Sequence, residues 1–226
     1  MSGSLEPSDS VASAPDVARR LNTALEAAGM APLEPMLTAR FAAYLSLLLR
    51  WNQRVNLTAI RDEAGIISRH FIESIVCARS LPAEIRTLLD LGSGAGFPGI
   101  PIALCRPEIA VTVAESQGKK AAFLQEVVRT LGLNTRVLAA RAESESQFYD
   151  CVTLRAVDGM LEAVKIAAGR IRVGGWLALM TTQVESARLR PVVDSLSGPA
   201  FTWCPSIPLP RSTDRIFLIG QRHGPA

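Results

Sequence analysis

Apolar positions recur at helical spacing through the N-terminal third of the chain. Val17, Leu21, Ala24, Leu25 and Ala28 share one face of a helix expected to begin at Asp16, and Gly29 is placed to end it. Phe41, Tyr44, Leu45 and Leu48 mark a second helix, after which Asn52-Gln-Arg-Val-Asn56 breaks the pattern with polar residues. A third helical stretch runs from about Glu63 to Leu81. The first 85 residues contain no convincing strand.

The pattern changes at Thr87-Leu-Leu-Asp-Leu91, a short apolar run that stops at glycines, as buried parallel strands do. Similar runs follow at 111–115, 136–139, 151–154 and 176–180, and helical patterns lie between them, such as the face of Leu124, Val127, Val128 and Leu131. This alternation predicts right-handed βαβ units and an α/β, doubly wound sheet. Residues 201–207 and 215–220 also read as strands. The seven residues between them are too few for a crossover helix, so they are expected to form an antiparallel hairpin at one edge. Residues 1–15, rich in Ser, Ala and Pro, read as a disordered lead-in. The expected organisation is that lead-in, a helical N-terminal extension over 16–85 and an α/β core over 86–226.

Of the 226 residues, 48% are hydrophobic and 20% charged, which excludes general disorder. No apolar run approaches the roughly 18 residues of a membrane span, and the N-terminus lacks the basic and apolar regions of a signal peptide. The four cysteines are widely spaced with no CxxC pair, and there are two histidines. Neither disulfides nor a metal site is expected, and a cytoplasmic setting follows. The net charge of +3 names no partner. Arginine supplies 21 of the 24 basic residues, a bias that suits phosphate contact and equally a GC-rich genome. By region, residues 1–34 hold two Arg and five acids, whereas 35–86 hold seven Arg and four acids.

Candidate chemistry begins at Asp90-Leu-Gly-Ser-Gly-Ala-Gly-Phe-Pro-Gly99, after the first strand. Gly92, Gly94 and Gly96 let the backbone turn sharply and approach a ligand, at the carboxyl end of a strand where open α/β sheets bind theirs. The embedded G-x-G-x-x-G also fits a dinucleotide. Against a pyrophosphate stand Asp90, whose carboxylate is expected beside the ligand, and Pro98, which removes a backbone donor near the helix start. An amine-bearing donor such as S-adenosylmethionine suits the loop better. Glu115, closing the second strand, is placed to accept from both hydroxyls of a ribose, in either kind of ligand. After the third strand, Arg141-Ala142-Glu143 offers a backbone N–H and a carboxylate that suit an adenine edge and equally a helix cap.

These residues resemble the bacterial 16S rRNA guanine-N7 methyltransferases of the RsmG (GidB) family. The resemblance rests on the loop with its Phe97-Pro-Gly-Ile-Pro101 tail, Asn56-Leu-Thr58 with Arg61, His70-Phe-Ile-Glu-Ser74, Ser116-Gln-Gly-Lys-Lys120 and Arg155-Ala156. It covers about residues 35–220 and implies a class I, Rossmann-like S-adenosylmethionine-dependent fold, that donor without a metal, and one guanine of the 530 loop of 16S rRNA as acceptor. The implied cofactor contacts are Gly92, Phe97, Ala142, Glu143 and Arg155, to which the chemistry of the loop and of the second strand's end adds Asp90, Gly94, Gly96 and Glu115. Arg155 and His70 are expected to orient the acceptor. Arg54, Arg61, Arg69, Lys119, Lys120 and Arg215 are the candidate RNA contacts, with Arg211 beside them. The partner is 16S rRNA or the 30S subunit, the chain is expected to be a monomer, and no membrane is involved. The sequence departs from the family pattern at Glu73, commonly Asp, at Leu154, commonly Ser, and at Thr181-Thr182, where Lys-Gly is usual. An oxidoreductase, a small-molecule methyltransferase or a non-catalytic ribosome-assembly factor are the competing readings.

Guanine N7 has an in-plane lone pair and no proton, so its methylation needs no general base. Positioning and exclusion of water should carry the reaction. N7 also faces the groove of A-form RNA that side chains cannot enter, so the target must lie in a loop or be extruded.

Overall fold

The computed structural model describes residues 13–141, 144–157, 159–196 and 201–224. Helix α1 (Ala14–Ala27) starts two residues before the expected Asp16. Pro15 explains the difference, since its missing N–H costs nothing in a first turn. Val17, Leu21 and Leu25 bury the expected face. Helix α2 (Pro35–Asn52) buries Thr38, Phe41, Ala42, Tyr44, Leu45, Leu47, Leu48 and Asn52. A helix buried on so many sides needs several partners: α1 packs on it, and so do α5 (Gly99–Cys105) and α6 (Gly118–Leu131). The third helical run is continuous but not uniform. Between α3 (Glu63–Gly65) and α4 (Glu73–Ser80), residues Ile66–Ile72 form a π-helical segment carrying Arg69 and His70. Such wide turns concentrate at functional sites.

Strands β1 (Thr87–Leu91), β2 (Ala110–Ala114), β3 (Thr135–Leu138), β4 (Tyr149–Arg155) and β5 (Ile171–Thr182) pair in parallel in the order β3-β2-β1-β4-β5. Strand β8 (Arg215–Arg222) runs antiparallel beside β5, from Thr182↔Arg215 to Trp176↔Gln221. The expected strand over 201–207 is two pieces, β6 (Phe201–Trp203) and β7 (Ile207–Pro208), both paired with β8. Trp203 faces Gly220 but Ile207 faces Phe217, so one extra residue bulges between them, where Pro205 has no N–H to give the ladder.

Helices α7 (Met160–Gly169) and α8 (Gln183–Asp194) contribute to one buried cluster, with Leu89, Val152, Leu177 and Leu218 of the sheet. The larger cluster runs unbroken from Val17 and Tyr44 through Phe71 and Phe123 to Phe217. The N-terminal helices thus share one core with the sheet. This is the Rossmann-like methyltransferase architecture, with an antiparallel edge and a helical N-terminus. No helix among the described residues is long and apolar enough to cross a membrane.

Candidate functional site

Beyond Leu91 the backbone folds tightly. The N–H groups of Gly92 and Ser93 both donate to Ala114 O, each at 3.0 Å, which ties the loop to the end of β2. Gly92 has φ +72°, and a Cβ there would stand 3.1 Å from both methyls of Val157. Gly96 has φ +93°, and its Cβ would stand 2.6 Å from Ile100 Cγ1 and 2.7 Å from the Tyr44 hydroxyl. That hydroxyl donates to Ala95 O, so α2 braces the loop from behind.

Glu115 follows β2 directly and is buried. Its Oε2 accepts from Gly94 N–H at 2.9 Å and its Oε1 from Gln117 N–H at 2.7 Å. Each carboxylate oxygen has a second acceptor site to spare. Beside it lies a pocket of about 300 Å³ whose lining includes Gly92, Glu115, Ser116, Ala140 and Arg141. Leu91, Val157 and Ile166 give it aliphatic walls. A flat base between aliphatic walls, with its sugar diol toward a carboxylate, matches this chemistry. Ala142 and Glu143, expected near an adenine, lie outside the described residues.

Asp90 is not where the sequence suggested. Its carboxylate is buried beneath the loop, accepting from Gly99 N–H at 3.0 Å and from the Thr153 hydroxyl at 2.8 Å. Burial pushes its pKa up, against the lowering pull of Ser93, Thr153, Gly99 and Arg155. It shapes the turn into α5 and does not line the pocket. Gly94, Gly96, Phe97 and Arg155 are likewise absent from that lining.

Phe97 and Arg155 belong to a second cluster beside the loop. The His70 imidazole stacks on the Phe97 ring, 4.5 Å between centroids and 15° between planes, and the Arg155 guanidinium lies 5.8 Å from the same ring. His70 Nε2 is 2.7 Å from Thr58 Oγ1. Burial, and then the charges of Arg155 and Arg69, drive its pKa down to about 3, so the ring is neutral. Arg155 donates to Arg69 O at 2.8 Å and to Glu73 Oε2 at 3.2 Å. Arg215 holds the other oxygen, with Nη2 at 2.6 Å and Nε at 2.9 Å. One carboxylate, 1% exposed, therefore clamps two guanidiniums from different strands. His70 Nδ1 and Arg155 Nη1 are buried with no hydrogen-bond partner.

The basic candidates divide by setting. Arg54, Lys119 and Lys120 line one pocket of about 390 Å³ with Asn56, Gln117 and Gly118. Arg61 donates to Asn56 Oδ1 at 3.3 Å, and the Arg69 residue is exposed. Arg215, by contrast, is spent on Glu73. Thr182, opposite Arg215 in the β5–β8 register, caps α8 by accepting from Glu185 N–H at 3.1 Å.

Several residues of this region carried no functional signal in the sequence. Tyr44 sits at a core position of an amphipathic pattern, and Val157 follows a strand as an ordinary aliphatic. Asn52 was visible only as a break in the helix. Its side chain accepts from Leu57 and Thr58 N–H at 2.9 and 3.1 Å and donates to Thr58 O at 3.1 Å, building the loop that delivers Thr58 to His70.

Comparison with known proteins gives a consistent result. A family profile described as rRNA small subunit methyltransferase G (GidB) matches residues 37–195. The protein named ribosomal RNA small subunit methyltransferase G of Roseiflexus sp. (strain RS-1) is 44% identical over 169 residues, covering 70% of this chain and 72% of its own. The protein of the same name from Xanthomonas euvesicatoria pv. vesicatoria (strain 85-10) is 41% identical over 170 residues, covering 74% and 78%. Among solved structures, M. jannaschii TYW2 in complex with AdoMet superimposes with a TM-score of 0.56 at 15% identity, covering 70% of this chain and 78% of that one. The ribosomal protein L11 methylase of Lactobacillus delbrueckii subsp. bulgaricus gives 0.55 at 12% identity, covering 66% and 76%. Both structural likenesses are of fold.

Proposed function

The chain belongs to the rRNA small subunit methyltransferase G family, and from that premise we propose that it methylates N7 of a single guanine in the 530 loop of 16S rRNA, with S-adenosyl-L-methionine as donor. The observation that carries this reading is that one glycine loop contributes Gly92 to the Glu115 pocket and Phe97 to the cluster with His70 and Arg155. A nucleoside-bearing donor and a flat acceptor have separate places about one loop.

The pocket fits the donor. Glu115 keeps acceptor capacity for ribose hydroxyls, and Gly92 leaves open the space that a side chain would take against Val157. When bound, S-adenosylmethionine supplies an electrophilic methyl on a sulfonium. The protein's part is to hold the pieces and exclude water. Gly92, Glu115 and Val157 bind the donor, while Phe97 and His70 present a flat surface beside the loop. His70, neutral at physiological pH, neither takes a proton nor adds a positive charge next to a purine that becomes cationic. This suits attack by an unprotonated ring nitrogen. Arg155, fixed by Glu73 and Arg69 O, orients the acceptor. Arg54, Lys119 and Lys120 offer one cationic pocket to the RNA backbone, Arg61 joins it through Asn56, and the exposed Arg69 is a further contact. The reaction calls for no metal, and the expected setting is the cytoplasm.

Transfer of labelled methyl to intact 30S subunits, naked 16S rRNA and small-molecule acceptors tests this directly. Label in rRNA, released by chemistry selective for N7-methylguanine, is the expected result. Donor binding without transfer to any form of rRNA overturns it. The Gly92→Asp variant should fold yet lose donor binding in calorimetry, because its side chain meets Val157 and adds charge at the pocket.

A further inference from the structure

A separate cavity of about 300 Å³ lies between α1, the π-helical segment and the turn that leads into β8. Ala24, Ala27 and Ala28 form one wall, and Ser68 and Ile72 of the π-helical segment another. The Pro208-Leu209-Pro210-Arg211 turn closes it. Seven of its nine lining residues lie outside 37–195, the part of the chain that matches the family profile. The cavity is nonetheless next to the acceptor side of the site. Ile72 precedes Glu73, the carboxylate that clamps Arg155 and Arg215, and Leu209 N–H donates to Arg215 O at 2.9 Å.

Its chemistry is specific. Small alanines and prolines leave a smooth slot, and a single charged side chain, Arg211, stands among the lining residues. Arg211 is exposed and makes no ion pair or side-chain hydrogen bond among the described residues. It also holds φ +55°, a left-handed conformation that strains a non-glycine residue. The acid of the same turn, Asp214, accepts from Ser212 at 2.9 Å. A slot walled by small side chains, with polar groups open to it and one uncompensated guanidinium, complements a hydrogen-bonding ring joined to an anion. Resting on the proposed function above, we propose that this cavity takes an unstacked nucleobase of the rRNA substrate flanking the target, with Arg211 on its phosphate. Bases taken out of the stack are held between aromatic or apolar side chains with hydrogen bonds to their edges, while cationic side chains track the backbone.

Two variants of the full chain test it in methyl-transfer kinetics with 30S subunits and 16S rRNA. Arg211→Gly removes the cation and relieves the backbone, so it should not harm folding. Ala27→Trp fills the slot from an exposed helix position. Each should raise the KM for RNA at least fivefold while kcat and donor affinity stay within twofold of the parent. Arg211→Gly should also make the dependence of log KM on log salt shallower by about one. Unchanged RNA KM in both variants, with the parent active, overturns the inference and leaves the proposed function standing. A rise in KM that comes with weakened donor binding also overturns it, since that marks a structural role. A parent that binds donor but methylates no rRNA removes the proposed function and this inference together.

Discussion

The imidazole of His70 lies flat on the ring of Phe97, with Thr58 Oγ1 2.7 Å from its Nε2. The stack buries a histidine between two arginines and keeps it neutral down to about pH 3. In the unfolded chain the same group ionises near its ordinary value of 6.5. Between these values the unfolded state binds the extra proton, so stability is complete above about pH 6.5 and falls as pH drops toward 3. The slope contributed is at most about 1.4 kcal/mol per pH unit. Denaturant titrations across this window should show it, and His70→Phe should flatten it. NMR titration should find no His70 transition above pH 5, and one near 6.5 would refute the burial of charge.

Glu115 holds the loop through Gly94 and Gln117 N–H, and in the proposed function it also takes the donor's ribose. Glu115→Gln keeps one acceptor oxygen but loses the charge and the second acceptor. Donor affinity should fall about 10- to 100-fold, equivalent to about 1.5–3 kcal/mol. Calorimetry on the folded variant reads this directly, and affinity within twofold of the parent would remove Glu115 from the donor site.

Glu73 is a stability element with a functional purpose. Glu73→Gln leaves two partly buried guanidiniums facing each other without their shared carboxylate, which costs up to about 3–5 kcal/mol. For a chain of this size the melting temperature should drop by about 6–20 °C in scanning calorimetry. Glu73→Asp should recover part of the loss by reaching one arginine, and a Gln variant as stable as the parent would show that the clamp contributes nothing.

Asp90 offers a contrast. Burial raises its pKa, so the folded state holds its proton more tightly and its contribution to stability declines as pH rises through that range. Asp90→Asn should therefore be neutral or stabilising at pH 7, with donor affinity within twofold of the parent. A tenfold loss of affinity would instead place the carboxylate at the ligand.

Periodicity made most of the fold legible, because buried parallel strands and amphipathic helices leave long, regular signals. It failed where a signal is a single residue. The bulge between β6 and β7 turns on one extra residue at Pro205, and the π-helical segment keeps the apolar spacing of the helix around it. Around the pocket, Gly92 and Glu115 stand out in the sequence by their place at strand ends, and both line it. The orientation of Asp90 was not legible, because its position beside the loop does not say whether a carboxylate points up to a ligand or down to Gly99 N–H. Glu73 looked like a conservative exchange on a helix. Its role depends on two arginines 82 and 142 residues away, a relation that no local pattern encodes.

The bond from Tyr44 to Ala95 joins residues 51 positions apart and gives α2 a hold on the glycine loop. The pocket proposed for the donor is therefore not a module that could be lifted out with the sheet alone. A sheet grafted without α2 would carry every residue that lines the pocket and still present a slack loop. Drift at Tyr44 would retune the enzyme's appetite for its donor while leaving each contacting side chain untouched.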